Sequence, residues 1–113
     1  MKRVVSLVLI AFAFLSFKAY AQNGKISGTV VDATSGQPVE FATVALNDPT
    51  TNKPVDGTVC DDKGKFEIAK IADGNYKLVI SFIGYETYEQ EVAISGRRDN
   101  IELPPIKLGS SVT

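Results

Sequence analysis

The stretch VCDDKGKFEI, residues 59–68, holds the single cysteine of the chain, two adjacent carboxylates, two lysines and a glycine. It reads either as a site, meaning a metal loop or a reactive thiol, or as a turn between two strands. A calcium loop needs about six or more converging oxygen ligands, normally ending in a bidentate glutamate. Here Asp61 and Asp62 are adjacent rather than spaced to converge, and Lys63 and Lys65 bring positive charge among them. A reactive thiol needs a histidine, a helix N-terminus or clustered cations beside it. Cys60 is instead followed by two carboxylates, which raise a thiol pKa, and the chain contains no histidine. The turn reading is stronger: Asp-Asp-Lys-Gly lies between the β-prone runs GTVC (57–60) and KFEIA (65–69), with Gly64 at the left-handed position of a hairpin. Cys60 is then a half-buried strand residue, with an intermolecular disulfide as the alternative.

Outward from this turn, short β-prone runs and turn clusters alternate about every ten residues, the spacing of a small sandwich or barrel. In KISGTVVD (25–32), Ile26, Gly28 and Val30 share a face; TSGQP (34–38) breaks the run. VEFATVAL (39–46) follows, with Ala42, Val44 and Leu46 expected inward, and NDPTTNKPVD (47–56) reads as the longest loop. After the turn ADGN (72–75), YKLVISF (76–82) has the clearest period-2 pattern, which points Tyr76, Leu78, Ile80 and Phe82 to one face. ETYEQEVAI (86–94) is a polar edge strand whose Glu86, Glu89 and Glu91 discourage edge-to-edge pairing. NIELPPIKL (100–108) closes the series, a strand broken by Pro104-Pro105. Seven short strands without sustained helical periodicity predict an all-β fold of two packed antiparallel sheets with crossing connections.

The first 21 residues stand apart. Lys2 and Arg3 precede an apolar run from Val4 to Phe17, and Ala19-Tyr20-Ala21 supplies small residues at a cleavage site. This is the three-part pattern of a secretory signal, too short for a comfortable membrane span. Cleavage after Ala21 removes 21 of the 113 residues and leaves 92, one small domain. Lys2, Arg3 and Lys18 leave with it, so 9 of the 12 basic side chains face all 13 acids, a net charge near −4. No basic cluster exceeds Arg97-Arg98, so the footprint of a nucleic-acid binder is missing. One cysteine allows no intrachain disulfide. The lack of histidine removes the commonest general base, metal ligand and activator of nucleophiles.

Three further groupings carry chemistry on paper. Glycosidase-type catalysis needs two carboxyls facing across a cleft, and none of the thirteen acids stands in a setting that raises a pKa. Lys25, Glu67 and Asn100 occur in an order compatible with the Lys–Asn cross-link of some adhesin sandwiches, although a strand-starting lysine and a turn asparagine are also ordinary. Phe66, Tyr76 and Phe82 read as core. Tyr85 and Tyr88 lie at the polar end of the last hairpin as candidate ligand or partner contacts, sugar stacking among them, and a packing role for Tyr85 like that of a tyrosine corner competes with this.

In their order, these segments resemble a carboxypeptidase-regulatory-like domain of the transthyretin-like (prealbumin-like) group. The resemblance rests on Gly28-Thr29-Val30, on Gly36-Gln37-Pro38-Val39 with Ala42-Thr43-Val44 as the next hairpin, and on G-T-x-x-D-x-x-G-x-F at Gly57, Thr58, Asp61, Gly64 and Phe66. It extends to G-x-Y-x-L at Gly74, Tyr76 and Leu78, and to Gly84-Tyr85. It is closest to the copy at the N-terminus of TonB-dependent receptors and outer-membrane β-barrel proteins of Bacteroidetes-type bacteria. It implies a seven-stranded antiparallel Greek-key β-sandwich over 22–108, behind a signal peptide at 1–21 and ahead of a tail or linker at 109–113. Cys60 stands where the family usually has threonine. In receptor relatives a plug and barrel follow; this chain stops at Thr113, which suits a truncated product, a piece of a receptor or a free-standing domain.

The resemblance also implies no catalysis, no catalytic or metal-binding residues and no cofactor. An enzyme branch of the transthyretin-like group acts on a purine-degradation intermediate through active-site histidines, absent here. The expected protein is therefore a non-enzymatic accessory domain, exported to the periplasm or outer membrane of a Gram-negative bacterium. Its partners would be a periplasmic protein or a receptor's plug and barrel, with only indirect membrane association. The alternative is a free-standing secreted carbohydrate- or small-ligand-binding module.

Overall fold

The computed structural model describes residues 23–111, and the leader read at residues 1–21 lies outside the described residues. Eight strand segments follow in order: β1 (Gly24–Asp32), β2 (Thr43–Asn47), β3 (Pro54–Val59), β4 (Lys65–Ile71), β5 (Gly74–Ser81), β6 (Tyr88–Ile94), β7 (Asn100–Glu102) and β8 (Ile106–Leu108). They form two sheets. One has the order β4-β1-β7, with β8 also paired to β1; the other runs β3-β2-β5-β6. The expected β-sandwich is present, and β7 and β8 are the two halves of its last strand. Pro104-Pro105 splits them because proline has no N–H to give to a ladder.

Direction is where the structure departs from expectation. β6 ends at the pole where β1 begins, since Gly74 pairs with Ile94 and Gly24 with Ile71. The chain crosses there to the other sheet and runs back beside β1, so β7 and β8 pair with β1 in parallel, Lys25 opposite Asn100 and Asp32 opposite Leu108. The remaining pairings are antiparallel.

The core lies between the inward faces of the sheets. Ala42, Val44 and Leu46 are fully buried, as the alternation requires, and Leu78 and Ile80 face them from β5. Each side chain of this size contributes about 1.5–3 kcal/mol on burial. From the other sheet come Ile26, Val30, Phe66, Ile68, Ile106 and Leu108. Gly28 is the cross-strand partner of Phe66, and the ring lies over it: a Cβ at Gly28 would stand 2.8 Å from the ring Cζ. Phe82, expected inward, is 39% exposed because β5 ends at Ser81 and the chain turns through Gly84 at φ 90. The run 39–46 is a strand only from Thr43. Phe41, at φ 61 and 57% exposed, stands outside it. At the other end of the long loop, Pro54, Val55 and Asp56 already belong to β3, an edge of its sheet.

Candidate functional site

The stretch 59–68 is a corner rather than a paired hairpin. β3 and β4 lie in different sheets, and only one rung of local pairing holds the turn, from the Asp61 N–H to the Lys65 carbonyl at 2.9 Å. The Asp61 carboxylate accepts the N–H groups of Lys63 and Lys65 at 2.9 Å each, and Gly64 N–H reaches the Asp61 carbonyl. Those bonds, led by the one from Lys65, hold the Asp61 carboxyl below its ordinary range. Gly64 sits at φ 73, and its carbonyl accepts the Val30 N–H at 2.8 Å, which ties the corner to β1. The same crossing separates β1 from β2, so the 33–42 connection is also no hairpin; β2–β3 and β5–β6 are the true ones.

Cys60 lies one residue beyond β3, and its N–H goes to the Ala42 carbonyl, which draws the side chain between the sheets. It is 1% exposed rather than half-buried, and burial with Asp61 beside it pushes the thiol up to about 11. A buried, protonated thiol is a poor nucleophile and offers no surface for a bond to a second chain. Among the described residues, no three His, Cys, Asp or Glu side chains gather as metal ligands would.

Tyr85 and Tyr88 are both partly buried and packed against the core. The Tyr85 hydroxyl donates to Asp32 Oδ2 at 2.7 Å, and its ring lies 6.4 Å from that of Phe82. Asp32 Oδ1 accepts the N–H groups of Thr34 and Ser35 at 2.8 Å. This one carboxylate therefore ties the β5–β6 turn to the end of β1 in the opposite sheet. The Ser35 N–H first, then the Tyr85 hydroxyl, pull the Asp32 carboxyl down to about 2, while Asp32 raises the Tyr85 hydroxyl in turn. Tyr88 donates to Gln90 Oε1 at 2.7 Å. Each of the two hydroxyls thus has an intrachain acceptor.

A depressed acid adds stability that is present above its unfolded value, 3.8, and lost as pH falls through about 2. Tyr85→Phe is expected to lower the urea midpoint at pH 7. The difference from the parent should shrink as pH falls through about 2, where Asp32 takes up its proton in the parent as well. An equal difference at both pH values would mean that the hydroxyl acts through something other than Asp32.

Lys25, Glu67 and Asn100 are brought together on the outward face of the β4-β1-β7 sheet. Lys25 Nζ lies 3.0 Å from Glu67 Oε1, and Lys25 is the register partner of Asn100. An open groove runs past Lys25 and Glu67, lined also by Ser27, Lys65 and Glu102. Transamidation would need an uncharged amine and a protonated acid, conditions that burial supplies. Here the two side chains are 43% and 56% exposed, and the ion-paired ammonium has no lone pair with which to attack the asparagine amide. The trio is a surface ion pair beside an asparagine, worth at most about 1 kcal/mol. Intact-mass measurement is expected to return the mass of the sequence, with no loss of one ammonia; such a loss would show the cross-link.

A β-sandwich with its sheets ordered 4-1-7/8 and 3-2-5-6 and G-T-x-x-D-x-x-G-x-F at one corner matches a known family model, the CarboxypepD_reg-like domain, over residues 26–110. The chain belongs to this family. Among curated proteins, this CarboxypepD_reg-like domain is 43% identical over 90 residues to the TonB-dependent receptor SusC of Bacteroides thetaiotaomicron, covering 79% of the chain and 8% of the receptor. It is 31% identical over 115 residues to the TonB-dependent transporter Oar of Myxococcus xanthus, covering 97% of the chain and 11% of the transporter. The chain thus spans about a tenth of the length of these relatives. Among solved structures, the major pilin subunit BcpA of Bacillus cereus superposes with TM-score 0.66 at 19% identity, over 79% of the chain and 30% of the pilin. The 5-hydroxyisourate hydrolase of Klebsiella pneumoniae does so with TM-score 0.57 at 21% identity, over 80% of the chain and 91% of the hydrolase. At such identities these two share the fold alone.

Sequence reasoning did not find the Asp32–Tyr85 tie or the solvent-facing Phe41. Asp32-Ala33-Thr34-Ser35, an Asx-turn signal, was the clue to the first.

Proposed function

We propose that this CarboxypepD_reg-like domain is a non-catalytic accessory module, the N-terminal extension of a TonB-dependent outer-membrane receptor, and that it acts through protein contacts in the periplasm. The observation that carries the reading is the 43% identity to SusC over a stretch that is only 8% of that receptor, the proportion of a module attached to a larger machine. The acid-poor edge supports contact by strand addition: β3 carries one charge, Asp56, along Pro54–Val59, whereas β6 at the other edge carries Glu89 and Glu91. A ligand module reading through Tyr85 and Tyr88 is the weaker one, because both hydroxyls already hold intrachain partners. The genomic reading frame is the test. A frame that runs on past Thr113 into the remainder of a receptor is the expected result, and a stop codon there would overturn the reading in favour of a free-standing module.

A further inference from the structure

β1 and the paired β7 and β8 run from one pole of the sandwich to the other, so Leu108 ends beside Asp32, far from Gly24. The residues after β8 then fasten to the turn that follows β5. Glu86 N–H donates to the Gly109 carbonyl at 2.8 Å, Ser110 bridges Tyr85, and Ser111 N–H donates to the Gly84 carbonyl at 3.0 Å. The chain therefore leaves the described fold alongside Phe82–Tyr85.

That same pole gathers four of the five exposed large apolar side chains among the described residues, Val55 at the far end of β3 being the other. Thr43 pairs with Ser81 on one side and Val59 on the other. Phe41 lies two residues before Thr43, and Phe82 and Ile83 directly follow Ser81. Phe41 is 57% exposed, Val59 54% and Ile83 93%. Phe41 also holds φ 61, a left-handed conformation that non-glycine residues rarely adopt. The left-handed residue stands directly before the buried Ala42 and leaves its own ring in water, the kind of outlier from which a use can be sought.

Resting on the receptor reading above, we infer that Phe41, Phe82 and Ile83 form the docking face for the polypeptide that follows Thr113, which folds back as an apolar surface onto the pole it leaves. Tethering makes such contact effectively intramolecular, so a modest patch is sufficient. An apolar face this close to the exit needs no long linker to be covered.

The test is amide hydrogen exchange in the full-length chain and in residues 22–113. In the full-length chain, exchange at Ala42 and at Ile83–Tyr85 is expected to slow about tenfold or more, while the turns 48–53 and 95–99 at the opposite pole stay unchanged. The variant Phe41→Asn suits the left-handed backbone, and paired with Ile83→Asp it should restore the exchange rates of the short chain without lowering its melting temperature. Equal exchange at the exit pole in both chains overturns the inference while leaving the receptor reading intact. Protection that appears in the short chain with rising concentration also overturns it, by showing that a second copy covers the patch. A reading frame that closes at Thr113 removes the receptor reading and the inference together.

Discussion

Phe66→Ala is expected to destabilise the domain by about 3–5 kcal/mol. A domain of this size has roughly 5–13 kcal/mol in all, at about 0.05–0.15 kcal/mol per residue, so the variant should be partly unfolded at modest urea. The ring does two things. It fills the space between the sheets, where it is 5% exposed, and it covers the backbone of its cross-strand partner Gly28. The second role gives the prediction a sharper form. Gly28→Ala alone collides with the ring, whose Cζ and Cε1 would stand 2.8 and 2.9 Å from the new Cβ. In a Phe66→Ala background that collision is gone, so the double variant should be more stable than the sum of the single losses implies. Urea midpoints of the four proteins measure the coupling, and simple additivity would mean that the ring does not rest on Gly28.

Gly64→Ala should cost about 2–3 kcal/mol. Part of this is the left-handed φ of 73, a conformation that an alanine adopts at about 1–2 kcal/mol. The rest is the bond from Val30 N–H to the Gly64 carbonyl, worth about 1 kcal/mol, because a Cβ at Gly64 would run into the Val30 carbonyl and force the two apart. Asp62→Ala in the same turn is the natural control, since Asp62 is exposed, and it should leave the midpoint within about 0.5 kcal/mol. A Gly64 variant as stable as the parent would show that the corner can form without its tie to β1.

The strands were legible where apolar residues alternate, as at Val44 and Leu46 or Leu78 and Ile80. Alternation reports which face is buried. It carries no information about the sheet a strand joins or its direction, so the corner at 60–64 read as a hairpin and the last strand as antiparallel. It also fails at strand ends: Phe82 continues the inward pattern on paper, but the chain leaves the sheet after Ser81 and turns through Gly84 at positive φ, and the run expected as strand from Val39 is one only from Thr43, after the positive φ of Phe41. Cys60 read as a half-buried strand residue; it lies one residue beyond β3, where its N–H to the Ala42 carbonyl draws it inside. At the candidate sites, order alone suggested that Lys25, Glu67 and Asn100 meet. Their exposure, which decides the chemistry, follows from Lys25 lying one position out of phase with the buried Ile26.

The parallel first and last strands also bear on how the domain carries tension. Gly24 and Leu108 sit at opposite ends of adjacent strands, separated by the length of nine-residue β1, about 30 Å. A pull between them runs along the strands and loads the β1–β7 and β1–β8 backbone bonds together in shear, so they must fail as a group. A pull between Gly74 and Ile94, which pair at one end of β5 and β6, would instead peel those strands apart rung by rung. Single-molecule stretching through the first pair of handles is expected to need clearly more force than through the second. Equal forces would mean that the parallel clamp bears no load.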